Sequence, residues 1–416
     1  MMIVEKVFLG CLMKEHYLIK DTTIRPEHLQ ETRHQELLRR MVELEQSGKK
    51  TDLITLTTIP NLESFGGVSY LADLQSHGAL DKFEEVEGLI LELWREREKR
   101  SILTLGAMND WEIGDVIERL EKISERKVDD YHSITDCLAD IYNSPWEEGE
   151  QVLTATSGIN EMDKLTGGWQ DGEVAILAAR PSMGKTDVML HFAKEAGWCG
   201  YLPIIFSLEM PQKLLTSRLV ASTGEFNRMK LRNTAKWLKD KQKEKWPGVI
   251  NEVNETNIQI FDRSSQSIPE MRAKIRKLMH QFSDKKPIIF IDYLTLIQAN
   301  DIYGGNTHYQ VSEISRNLKK IAKEFNCPMI CLAQLNRSVE SRAIKRPQMS
   351  DIRESGSIEQ DADLILFLFR EKYYDRALKD DSLEIIVAKN RNGPTGTVIV
   401  KYNEYTGKIM EHNHEG

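Results

Sequence analysis

At 416 residues the chain is long enough for two or three domains, and its 40% hydrophobic and 29% charged content excludes a disordered or fibrous protein. A formal net charge of −8 argues against coating nucleic acid by bulk charge, while leaving room for a local basic channel. No apolar run approaches the ~20 residues of a membrane span, the start MMIVEKVFLGCLM lacks a basic n-region, and five cysteines without a CxxC pair suit a reducing cytosol. A cytoplasmic protein with no membrane segment is expected.

Residues 1–125 predict a small all-α domain of helices and short turns. Leu37, Leu38, Met41 and Leu44 recur at helical spacing, with Gly48 as the stop. A helix is expected from Phe83 to Arg100, with Val86, Ile90, Leu93 and Trp94 on one side. Its run REREKR (Arg95–Arg100) reads as a solvated face laced by i,i+4 pairs, not a nucleic-acid patch. Another helix is expected around Asp115–Arg126. Residues 126–150 read as a linker: SITD (Ser133–Asp136) is a cap, and Ile134, Leu138 and Ile141 form a short amphipathic stripe that Pro145 ends. Either its own domain or a neighbouring subunit must cover that stripe.

From residue 151 to 416 apolar strands alternate with helices: VAILAA (Val174–Ala179), PIIFSL (Pro203–Leu208), PIIFI (Pro287–Ile291), PMICLA (Pro328–Ala333), LILFLF (Leu364–Phe369), LEIIV (Leu383–Val387) and TVIV (Thr397–Val400). This pattern predicts an α/β domain with a largely parallel sheet, in which Cys327 and Cys331 are core residues. ARPSMGKT (Ala179–Thr186) joins the first strand to a helix expected over Lys185–Ala196. It is a phosphate-binding P-loop of the form G-x-x-x-x-G-K-[ST], with Ala179 in place of the first glycine. Gly184 lets the backbone approach phosphate, Lys185 reaches the β/γ-phosphates and Thr186 binds Mg²⁺, with Arg180 and Ser182 in the same cradle. A GKT after a strand can arise by chance, so the other strand ends matter. Ligands bind at the carboxyl ends of such a sheet, and there stand Glu209, Asp292 and Gln334. Asp292 is placed to hold Mg²⁺, usually through water; Glu209 to polarise a water for in-line attack; Gln334 to sense the γ-phosphate. Each alone could be a polar strand cap; together they point to hydrolysis of ATP or another nucleoside triphosphate.

Further along, Asn336–Gly356 carries five basic residues (Arg337, Arg342, Lys345, Arg346, Arg353) against three acids, with few aromatics. That composition favours gripping phosphates over stacking bases, although a solvated loop is the simpler reading. KNRNG (Lys389–Gly393) is a basic hairpin turn, and His412 and His414 form an HxH too weak to imply a metal site.

The segments SLEMP (Ser207–Pro211), IDYLTLI (Ile291–Ile297), VSEISRNLKKIAKE (Val311–Glu324), LAQLNRSVESR (Leu332–Arg342), RPQMSDIRESGSIEQDADLI (Arg346–Ile365) and KNRNGPTG (Lys389–Gly396) together resemble the replicative hexameric DNA helicases of the DnaB type. The resemblance covers roughly residues 151–410, with EKVFLGCLM and FGGVSYLADL extending it more weakly into the N-terminal region. It implies a RecA-like motor behind a helical N-terminal domain and a linker helix, and ARPSMGKT is that family's own form of the loop. It further implies that Arg218 faces the nucleotide phosphates. Lys389 and Arg391 would reach into a neighbouring subunit's site, Arg391 as an arginine finger. DNA contact would fall on Arg353, Glu354 and Gly356, with a second loop around Asn300–Tyr309. A homohexamer moving 5′→3′ on single-stranded DNA, with primase and helicase-loader partners, follows from the same resemblance. The chain departs from the family at Asp187, where a small or uncharged residue is usual and altered nucleotide affinity is expected. Its Phe83–Arg126 hairpin region is also abbreviated, which bears on ring assembly. A RecA-like recombinase and a scaffold recruiting primase or loader remain open. The helical N-terminal region and RESGSIEQDAD weigh against the first, and intact Lys185, Thr186, Glu209, Asp292 and Arg391 against the second.

Overall fold

A computed structural model of the chain describes residues 2–58, 62–111, 113–124, 154–292, 307–352, 355–375, 377–378 and 380–411, with Ile134, Leu138, Tyr142 and Ile297 besides. These fall into two compact units, Met1–Gln151 and Val152–Gly416.

The first unit is helical: α1 (Met2–Lys14), α2 (Thr32–Gln46), α3 (Gly67–His77), α4 (Phe83–Met108) and α5 (Ile113–Ser124), joined by shorter turns. Its core sets Phe8, Leu9 and Leu12 of α1 against Leu37, Leu38 and Met41 of α2, Leu71 and Leu74 of α3, and Phe83, Val86 and Ile90 of α4. Each such side chain contributes roughly 1.5–3 kcal/mol when fully buried. Gly48 ends α2 at φ +72°, where the Lys49 N–H donates to the Leu44 carbonyl and closes the last turn. Helix α4 runs on to Met108, past the expected end at Arg100: beyond Ile90, Leu91 still touches the core, Trp94 lies 4.6 Å from the His28 ring, and the helix also packs along α5. The run REREKR is also less solvated than its composition suggests. Arg97 reaches across to the carbonyls of Glu27, His28 and Leu29 at 3.2–3.4 Å, and the pair Lys99–Glu96 is spaced i,i+3. Within the linker, Ile134, Leu138 and Tyr142 are helical and exposed; Ile141, Pro145 and the cap residue Ser133 lie outside the described residues.

The second unit is built on one nine-stranded sheet: β1 (Val174–Ala179), β2 (Leu202–Ser207), β3 (Gln259–Phe261), β4 (Pro287–Asp292), β5 (Met329–Gln334), β6 (Leu364–Phe369), β7 (Ser382–Asn390), β8 (Gly396–Tyr402) and β9 (Ile409–Glu411). The order is β3-β2-β4-β5-β1-β6-β7-β8-β9. Pairing is parallel from β3 through to β6 and antiparallel from β6 to β9. Burial on both faces explains the continuous apolar runs of the parallel strands: Ala175, Leu177 and Ala179 of β1 face one core, Val174, Ile176 and Ala178 the other. Helices α6 (Lys185–Trp198) and α7 (Gln212–Gly224) cover the first face. Helices α8 (Ile268–Gln281) and α9 (Thr307–Glu324) cover the second. A further helix, Asp240–Glu255, packs on α7 rather than on the sheet centre. The antiparallel strands β7 and β8 instead alternate in burial. Strands β3 and β9, three residues each, are too short to leave a periodic signal and were not expected from the sequence.

Candidate functional site

Parallel pairing brings the carboxyl ends of β1, β2, β4 and β5 to one edge of the sheet. Asp292 pairs with Ser207 across β4 and β2, and Gln334 with Ala179 across β5 and β1. From Ala179 the chain turns through Ser182 (φ +67°) and Gly184 (φ +99°) into α6. Within the turn Met183 N–H donates to Arg180 O at 3.4 Å, and the first bond of α6 itself runs from Val188 N–H to Gly184 O at 2.9 Å, so the N–H groups of its first turn lie outside the helix's own pattern. The helix dipole and these donors make the loop a seat for anions. It opens on a cavity of about 510 Å³ lined by Arg180, Ser182, Gly184, Lys185, Thr186, Asp187, Glu209, Arg218, Arg228, Gln334, Arg370, Tyr402 and Glu404 among others.

Lys185 lies half-buried in this cavity with Nζ 3.4 Å from the Ala333 carbonyl. Desolvation lowers its pKa, and the carboxylates of Asp292 and Glu209 oppose that shift. Thr186 Oγ1 donates to Asp292 Oδ2 at 3.2 Å. Asp292 is buried; desolvation raises its pKa, with Lys185 pulling it back. Its second oxygen, Oδ1, is buried without a hydrogen-bond partner. A hydroxyl and a carboxylate oxygen, one of them unsatisfied, are the hard donors that Mg²⁺ takes alongside phosphate and water. The residues present therefore fit that ion. Among the described residues no cluster of three or more His, Cys, Asp or Glu is arranged to hold a metal unaided, and His412 and His414 lie outside them. Glu209 and Gln334 are exposed at the cavity mouth, free of the core.

Other expected site residues are placed differently. The buried Arg180 lines the cavity, but its guanidinium binds Glu340 (2.6 and 2.9 Å) and the Leu335 carbonyl (2.8 Å), so its side chain braces the segment after β5. Arg218 is 3.3 Å from Asp187 Oδ1. Lys389 and Arg391 lie at the opposite edge of the sheet. Lys389 Nζ donates to the Glu359 and Ala362 carbonyls, both at 2.6 Å, and Arg391 pairs with Asp363 at 3.1 Å. Asp363 also accepts the Val174 N–H at 2.9 Å, at the start of β1, a six-residue strand away from the loop. Such a strand spans roughly 17–20 Å. Arg391 is thus not brought to the loop of its own chain.

Arg353 and Glu354 lie outside the described residues, as does most of the segment 300–309; Gly356 falls in the short helix Ser355–Asp361. The neighbouring positive charge is less free than composition suggests. Arg342 pairs with Asp351 (2.5 Å), Arg346 with Glu384 (2.6 Å), and Lys345 sits 4.9 Å over the Tyr374 ring.

Arg228, Arg370, Tyr402 and Glu404 also line the cavity, although none was expected there from the sequence. Arg370 lies 4.7 Å over the Tyr402 ring and donates to Glu404 at 3.1 Å, and its Nε is buried without a partner. The strand-end rule that found Glu209 applies equally to LILFLFR and would have found Arg370.

Comparison with known proteins agrees along both units. The DnaB-like helicase C-terminal domain model matches residues 155–411 and the N-terminal domain model residues 2–91. The replicative DNA helicase DnaC of Bacillus subtilis is 36% identical over 404 residues, covering 91% of this chain and 88% of the relative. Its Geobacillus stearothermophilus counterpart, DnaB, is 37% identical with the same coverage. A solved DnaB-like replicative helicase, studied with primase, superposes at TM-score 0.65 with 31% identity, over 99% of this chain and all of that one. A second solved structure, an isolated ATPase domain, superposes at TM-score 0.64 with 36% identity, over 68% of this chain and all of that domain. With a helical N-terminal domain, a RecA-like ATPase domain and relatives aligned over nine-tenths of its length, the chain belongs to the DnaB-like replicative DNA helicases and is an ATP-dependent DNA helicase.

Proposed function

We propose that the 510 Å³ cavity is the ATP site of this helicase, and that the chain works as a ring of six on single-stranded DNA, moving 5′→3′. The observation that carries the site assignment is the contact of Thr186 with Asp292 beside Lys185, where the buried Oδ1 of Asp292 lacks a partner. Thr186 and Asp292 would hold Mg²⁺, which when bound neutralises phosphate charge. Lys185 and the first-turn N–H groups of α6 bind the β- and γ-phosphates. Glu209 accepts a proton from the water whose oxygen attacks the γ-phosphorus, as the bond to the ADP oxygen breaks. Gln334 reads the state of the γ-phosphate from the end of β5. Arg391, at the far edge of its own sheet, supports a role in trans: it would complete the cavity of the next subunit, with Lys389 beside it. Arg353, Glu354 and Gly356 are proposed to grip the DNA backbone. One solved relative was studied with primase, and we extend primase and a helicase loader to this chain as partners. Cytoplasmic work on DNA suits a chain with no membrane-crossing helix among its described residues.

The test separates binding from chemistry. Lys185→Ala should lose both nucleotide binding and hydrolysis. Glu209→Gln should bind nucleotide normally in calorimetry yet turn over about two to four orders of magnitude more slowly, the usual scale of a positioned base. Equal loss of binding in both variants would overturn these roles.

A further inference from the structure

The nucleotide cavity carries an anion of its own. Asp187, the third residue of α6, is 4% exposed and lines the cavity wall. Its Oδ1 lies 2.6 Å from Arg228 Nη2 and 3.3 Å from Arg218 Nη1, and its Oδ2 accepts the Tyr402 hydroxyl at 2.6 Å. One carboxylate thus ties α7, the segment after it and the end of β8 to the loop. Arg228 is itself held in place. Its N–H donates to the Tyr405 carbonyl at 3.0 Å, and its guanidinium lies against Gly407, where a β-carbon would overlap it. The contact with Asp187 is an ion pair without hydrogen-bond alignment, and Arg228 Nε is buried with no partner. Arg228, which lines the cavity, thus keeps unfilled donor capacity on Nε and Nη2, both buried behind the wall.

Two guanidiniums facing one carboxylate are a receptor for a stronger anion. A polyphosphate offers more charge and more acceptor oxygens than Asp187, and it competes for the same donors. The carboxylate does not leave when phosphate arrives; its charge stays on the wall and opposes the ligand. Asp292 and Glu209, the acids beside Lys185, have the metal and the attacking water to serve, whereas Asp187 has only arginine and tyrosine partners. Resting on the assignment of this cavity to ATP, we infer that Asp187 is an internal counter-anion: it holds Arg218 and Arg228 ready and must yield them to the triphosphate. It thereby weakens nucleotide binding and speeds release. Asp187 is a positioning residue, acting through the arginines.

The full-length protein tests this with Asp187→Asn, which keeps the shape and an acceptor for Tyr402 but removes the charge. Calorimetry would measure ADP and a non-hydrolysable ATP analogue at several salt concentrations, and stopped flow the release of a fluorescent ADP. The variant should bind both nucleotides about tenfold more tightly, the scale of one partly screened charge pair. The gain should be larger for the triphosphate, appear as slower release, shrink with salt, and be smaller in an Arg228→Ala background. Asp187→Ser, also uncharged, should tighten binding in the same sense and decides the matter if the Asn variant does not fold. Unchanged or weaker binding by a folded uncharged variant overturns the inference. Failure of the unmutated protein to bind either nucleotide would instead overturn the assignment of the cavity itself.

Discussion

Gly184 stands at φ +99°, and a β-carbon on it would lie 3.1 Å from the Tyr402 ring. Both constraints act on the same atom, so even alanine must strain the backbone and displace the ring. The backbone conformation alone costs about 1–2 kcal/mol for an L-residue. Gly184→Ala should lower the unfolding temperature of the second unit and weaken nucleotide binding together, checked by thermal melts with and without ADP. The conformational requirement was legible from the motif; the contact with Tyr402 was not, because 218 positions separate the two residues (402 − 184). Asp187 teaches the same lesson. Its place directly after GKT could be read from the sequence, yet its partners Arg218, Arg228 and Tyr402 become neighbours only in the folded sheet.

Helices α1 and α2 are joined by a buried polar link between apolar faces. Glu5, 2% exposed, accepts the Gln30 N–H at 2.5 Å and contacts His34 Nδ1 at 2.6 Å; His34 Nε2 lies 2.7 Å from the Tyr70 hydroxyl on α3. Burial pushes the Glu5 pKa up, but the His34 bond and the Gln30 and Glu31 N–H groups outweigh it, and the net shift is downward from 4.5. A carboxylate depressed in the folded state stabilises at pH above its unfolded value, and that contribution is lost as pH falls through the folded one. The first unit should therefore begin to lose this stabilisation below pH 4.5. Glu5→Gln, leaving the buried His34 poorly matched, should cost about 1–3 kcal/mol at neutral pH and flatten the acid limb. Hydrogen exchange of α1 amides in the full chain, followed from pH 7 to 3, would check both effects; an unaltered acid limb would assign that sensitivity elsewhere. At this scale the long periodic helices and the apolar strands were legible, since each repeats its signal over several turns or pleats. The three-residue strands β3 and β9 and the extra length of α4 were not. Their extent is set by what they pack against.

Across the whole molecule, the two groups of candidate residues in the second unit lie at opposite ends of the strands: the P-loop at the carboxyl ends of the parallel strands, Arg391 and Lys389 at the amino ends beside Asp363. If Arg391 serves a neighbour, activity lost in Arg391→Ala and in Lys185→Ala should partly return when the two variants are mixed under subunit exchange. Some interfaces would then pair an intact loop with an intact Arg391. ATPase measured against mixing ratio gives the answer; no recovery at any ratio would sink the trans role or require every site to be intact. What the sequence by itself determined was chemistry carried by contiguous residues: the loop Ala179–Thr186, the apolar strands, and the polar residues Glu209, Asp292 and Gln334 that end them. Spacing of a few residues fixes each such group's place on its own loop or at the end of its own strand, but not which ends stand together. Only the tertiary structure decided which charges meet. The order β2-β4-β5-β1-β6 sets those ends side by side, commits Arg180 to Glu340, seats Asp187 among arginines from other elements, and turns Arg391 away from its own loop. The physical reason is range: hydrogen-bonded periodicity is local, whereas a charge pair forms between whichever residues the packed sheet brings within a few ångströms, however far apart they lie along the chain.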